Sequence, residues 1–66
     1  MLKRYVIFSV PLNGFWDASF EGIQPDFANA TQYNSYADAE TALQDVVYGQ
    51  WNISGPLEIR EYFIAS

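Results

Sequence analysis

An α+β fold, with an antiparallel sheet of three to four strands and one helix packed on one face in the order ββ(β)αβ, follows from three features of this 66-residue sequence. The chain opens on an apolar run rich in β-branched and aromatic residues, "KRYVIFSV". It carries one amphipathic stretch with a serine before it and a glycine after it, "SYADAETALQDVVYG". It closes on an alternating segment, "LEIREYFI". Strand segments on both sides of a single helix share one sheet, and the helix buries that sheet's apolar face.

Residues 3–10 read as the first strand. "PLNG" (11–14) follows, and Asn13 with Gly14 between apolar runs signals a hairpin, because both residues tolerate positive φ. "FWDASF" (15–20) is the returning strand. A two-residue turn at Asn13 and Gly14 sets Val10 opposite Asp17 and Phe8 opposite Ser19, mixing polar and apolar groups on both faces. A three-residue loop, with Gly14 left-handed at a bulge, sets Val10 opposite Trp16, Phe8 opposite Ala18 and Val6 opposite Phe20. That register makes one face wholly apolar and is preferred, since a one-residue slip exchanges the faces. "EGIQPDF" (21–27) reads as a turn or loop because of Gly22 and Pro25. Residues 27–33, "FANATQY", allow a short third strand with Ala28 and Ala30 on one side.

The helix follows. Ser35 is suited to cap its N-terminus, and Asp38 places a charge where the helix dipole favours it. At about 100° per residue, Tyr36, Ala39, Leu43, Val46 and Val47 form one stripe, with Asp38, Thr41, Asp45 and Tyr48 roughly opposite. Gly49 is placed to end the helix in a left-handed conformation. Residues 52–56 are a loop, and residues 57–64 alternate as the last strand. Leu57, Ile59 and Phe63 share one side; Glu58, Arg60, Tyr62 and Ile64 share the other.

The whole chain, 1–66, makes one domain, and a domain this short buries only roughly 60% of the surface its unfolded chain exposes. Reinforcement by disulfides or thiolate metal sites is excluded, because there is no cysteine. There is no histidine either, which removes the commonest zinc ligand and the commonest acid–base group at neutral pH. An efficient core or self-association remains. The longest apolar run, residues 5–12, is too short to span a bilayer. No small-residue cleavage site follows it, so a cytoplasmic protein is expected. A net charge of −5 is repelled by nucleic acid and by anionic lipid, so neither is expected as a direct partner.

Catalysis is not expected. Asp17 and Glu21 are the best-placed carboxylate pair, but they lie at a hairpin edge with no base near them in sequence. The serines lack a histidine, Lys3 sits at the chain end, and the acids do not match a calcium-loop spacing. No cofactor or metal site is read. The aromatics are more informative. Phe8, Trp16, Phe20 and Phe63 are expected in the core. In the preferred register Tyr5, Ile7, Phe15, Tyr62 and Ile64 fall on the face opposite the helix, with nothing in this chain to cover them. Tyr48 points off the helix's polar side and Trp51 lies just beyond its end. A contiguous apolar face of this kind marks an association surface, for a second copy or for a target. The alternative uses charge: Asp17, Glu21, Asp38 and Asp45 would imitate nucleic-acid phosphates and occupy a binding cleft of a host protein.

The pattern of residues 30–43, "ATQYNSYADAETAL", resembles one seen in many small bacteriophage proteins, where a short strand ends in an aromatic and a serine caps the helix that follows. With the size, the acidity and the lack of cysteine and histidine, the chain resembles phage-encoded accessory proteins, anti-CRISPR and other anti-defence inhibitors among them. That resemblance implies a non-enzymatic inhibitor that binds and blocks a bacterial defence or regulatory protein in the host cytoplasm, often as a homodimer. It carries no functional residue over to this chain.

Overall fold

The computed structural model describes residues 2–49 and 56–64. Four strands, β1 (Leu2–Ser9), β2 (Gly14–Asp17), β3 (Gly22–Gln24) and β4 (Leu57–Ile64), form one antiparallel sheet in the spatial order β3-β2-β1-β4. One helix, α1 (Tyr36–Tyr48), lies over β1 and β4. The α+β class and the order ββ(β)αβ are those expected. Among the described residues no helix is long and apolar enough to cross a membrane.

The longest ladder joins β1 to β4, from Leu2 opposite Ile64 to Ser9 opposite Leu57. The hairpin differs from both registers considered. Phe8 stands opposite Phe15 and Ser9 opposite Gly14, so the loop is the four residues Val10, Pro11, Leu12 and Asn13. The buried Ser9 hydroxyl draws the turn inward by accepting from the Leu12 N–H at 3.3 Å, and Asn13 N–H donates to the Val10 carbonyl. Asn13, with φ 51°, is the left-handed residue. Gly14 is required for a different reason. A Cβ there would lie 2.6 Å from Ile23 Cγ2 and 2.8 Å from the Gln24 carbonyl oxygen.

The third strand is Gly22–Gln24, inside the segment read as loop. Three residues are too few to show alternation, and Gly22 masks the one that matters, Ile23. Residues 27–33 are not a strand. They contain a single 3₁₀ turn, Phe27–Asn29, and one isolated pairing of Tyr33 with Tyr5.

The helix begins where its cap predicts, with the Ser35 hydroxyl accepting from the Asp38 N–H at 3.1 Å. It ends at Gly49, but with φ −82° and ψ −171°, extended rather than left-handed. Its buried line is also rotated from the expected stripe. Ala39 and Val46 are buried, Ala42 and Leu43 half-buried, and Tyr36 and Val47 exposed.

The register decides the faces. Ile7, Trp16, Ile23 and Leu57 pack with Val46 and Leu43 beneath the helix. Val6 and Phe8 are buried on the other face. Both buried faces therefore draw on β1. A Gly14→Ala variant should lower stability by roughly 1–3 kcal/mol, the usual cost of forcing a methyl into a filled contact, read as a lower urea midpoint at unchanged slope.

Candidate functional site

The face opposite the helix is covered by this chain's own residues, contrary to expectation. The 3₁₀ turn brings Phe27 over it, with ring centroids 5.5 Å from Phe15 and 4.6 Å from Tyr62. Phe8 adds an edge contact with Phe15 at 5.2 Å, and Phe15 reaches Tyr62 at 6.4 Å. Beside them the Arg60 guanidinium lies 3.6 Å from the Phe8 ring centroid and 3.1 Å from Glu58 Oε1. Beneath this cluster Val6 has no exposed surface. Of the residues expected on an open face, Phe15, Tyr62 and Ile64 are on that side but half-buried.

Tyr5 and Ile7 are on the other side. The preferred hairpin register would have faced them outward; the observed one turns them under the helix. Ile7 is fully buried against Trp16 and Val46, and Tyr5 meets Tyr36 edge-on at 6.0 Å. Tyr48 is 84% exposed, as its helix position suggests. Trp51 lies outside the described residues. Two rings expected in the core are exposed instead. Phe20 sits in the β2–β3 turn, and Phe63 sits near the end of β4 with the Lys3 ammonium 5.7 Å from its ring.

These displacements add two rings to the apolar groups left outside. Among the described residues seven apolar ones are buried, two of them alanine, while eight large ones are exposed: Leu2, Val10, Leu12, Phe20, Tyr36, Val47, Tyr48 and Phe63. They gather at the two ends of the sheet. α1 starts beside Tyr5 and places Val46 on Ile7, so it runs along β1 toward Ser9. Its last residues, Val47 and Tyr48, therefore lie toward the β1–β2 turn that carries Val10 and Leu12. The sequence signal for that end was available: apolar residues inside a turn have no core to enter.

The carboxylates mostly serve local structure. Asp17 Oδ1 accepts from the Ser19 and Phe20 N–H groups, holding the turn that leads to Glu21, whose φ is 58°. Asp38 lies in the first turn of α1. Asp45 lines a cavity of about 170 Å³ between α1 and the sheet, with Trp16, Ala18, Tyr33, Ala42 and Val46. There the Trp16 indole N–H is bonded to the Tyr33 phenol. Burial first, and then the Asp45 charge, push the Tyr33 pKa above its ordinary value near 10, against a lowering by the indole bond. The lining offers one carboxylate and one phenol, with the indole donor already engaged, so no nucleophile and base are paired. Among the described residues no group of three potential metal ligands comes together. Comparison with protein-family models, with curated proteins and with solved structures found no match to this chain.

Three outcomes test this geometry. Phe27→Ala should lower stability by roughly 2–4 kcal/mol, somewhat below the cost for a fully buried ring, and should raise binding of an apolar dye to the uncovered face. A raised folded-state pKa contributes stability that is intact below the unfolded value and lost as pH rises through the folded one. Unfolding free energy should therefore fall above about pH 10. Asp45→Asn should move the Tyr33 phenolate absorbance transition to lower pH; an unmoved transition would remove Asp45 from the cavity's electrostatics.

Proposed function

We propose that this chain is a non-enzymatic interaction module whose specific role is that of a phage-encoded inhibitor, docking on a bacterial defence or regulatory protein and blocking its surface. One observation carries the reading: among the described residues eight large apolar side chains are exposed against five buried, and the order of the elements sets most of the exposed ones toward the two ends of the sheet. Such clusters on a small protein are association surfaces. The end formed by Val10, Leu12 and Tyr48 is the docking surface, with Tyr48 as its anchor, since tyrosine is over-represented among residues that dominate binding energy. The reading gains support from the capped-helix pattern of residues 30–43 and from a site chemistry without a nucleophile–base pair. The acidic-mimic alternative gains none, because Asp17 is spent on turn backbone.

Capture from bacterial lysate tests the proposal, with a Leu12→Ser/Tyr48→Ser variant as comparison. Both positions are exposed, so the variant should fold with stability within about 1 kcal/mol of the parent. A stoichiometric partner should be retained by the parent across roughly 0.1–1 M salt and lost with the variant. Retention that ignores the variant and disappears at moderate salt would favour the carboxylates, and no retention at all would remove the inhibitor reading.

A further inference from the structure

β4 is the long edge of the sheet. The Val10 N–H donates to the Pro56 carbonyl at 3.2 Å, so even-numbered residues of this strand turn their backbone groups toward β1. Leu57, Ile59, Glu61 and Phe63 turn theirs outward. Among the described residues those outward groups meet no backbone partner, and such a row is a template for another strand. An apolar row stands above it. Ala42, Asp45 and Val46 face the cavity on the β2 side, so the opposite flank of α1, bearing Tyr36, Glu40, Leu43 and Val47, faces the β4 edge. Tyr36 and Val47 are 54% and 57% exposed there.

We propose that a second copy of this chain covers both rows, its β4 pairing antiparallel with this one about a two-fold axis at Ile59. Charge selects the occupant and the register. An axis at Glu58, Arg60 or Glu61 would set that residue against its own copy, like against like. An axis at Ile59 sets Glu58 opposite the partner's Arg60 and Arg60 opposite the partner's Glu58. Stacking on Phe8 and the bond to Glu58 already hold Arg60 in place, so each guanidinium comes to lie between two carboxylates. The same register matches the outward groups of Ile59 with the partner's Ile59, and those of Leu57 with the partner's Glu61. With strands about 4.8 Å apart, a helix over β1 and β4 stands about 10 Å from its copy, the spacing at which helices pack. The flanks of Tyr36, Leu43 and Val47 then close on each other. The dimer thus uses the strand edge, while Phe27 occupies the face expected to serve it.

The inference gives a surface to the homodimer that the inhibitor resemblance implies, and it is separable from target binding. Sedimentation equilibrium and amide hydrogen exchange on the full chain test it. A dimer is expected in which the Ile59 and Glu61 amides exchange slowly and lose that protection on dilution, while those of Arg60 and Tyr62, bonded to β1, keep theirs. Glu58→Arg and Arg60→Glu should each weaken self-association about tenfold or more. Mixed, the two should pair with each other, and the double exchange E58R/R60E should restore the homodimer. A monomer throughout, or a dimer whose Ile59 and Glu61 amides exchange freely, overturns the proposal. Should the dimer form while no target is captured, only the docking reading fails; should a target bind the monomer, only the dimer fails.

Discussion

β1 is bonded along both sides, and the way this short chain covers its sheet depends on that. β2 leaves the sheet after Asp17, which opens a place beside Tyr5. Tyr33 takes it, exchanging backbone hydrogen bonds with Tyr5 at 3.0 and 2.8 Å. The segment between β3 and α1 is thereby able to pass from one face to the other. It lays Phe27 across the second face, bonds Thr31 to the Trp16 carbonyl on the way, and delivers Ser35 to start the helix over the first. A sheet has two faces to keep from water, and here a helix keeps one and a single aromatic ring with its neighbours keeps the other.

What could be read ahead of the structure was whatever local chemistry decides. The Ser35 cap, the helix over residues 36–48 and the alternation of 57–64 depend on neighbours within a turn or on period two, and they stand as read. The hairpin register depends on a choice that local propensity leaves open. Asn13 and Gly14 marked the turn correctly but not its width, because the deciding contacts are the buried Ser9 hydroxyl and the approach of Gln24 to Gly14. From that one shift follow the exchange of Tyr5 and Ile7 with the outer face, and the appearance of Phe20 at the surface. Phe27 was illegible for another reason: its partners Phe15 and Tyr62 lie on strands remote from it in sequence, and no periodicity connects them.

The same economy shapes the functional reading. A chain that spends its aromatics on both faces has a thin core, centred on Ile7, Trp16 and Val46. Marginal burial of this kind is commonly relieved by association. The exposed groups at the sheet ends and along the β4 edge are therefore of a piece with the fold, not additions to it.

The β1–β4 ladder carries a consequence for how the molecule assembles. Its pairs run from Ser9 with Leu57 to Leu2 with Ile64, so even the nearest of them encloses most of the intervening polypeptide. Closing so large a loop before any reward is collected raises the entropic barrier. Formation of this longest strand pair should therefore be late and slow for a protein of this size, and a nascent or clipped chain lacking the last strand would be left with its greasiest strand bare.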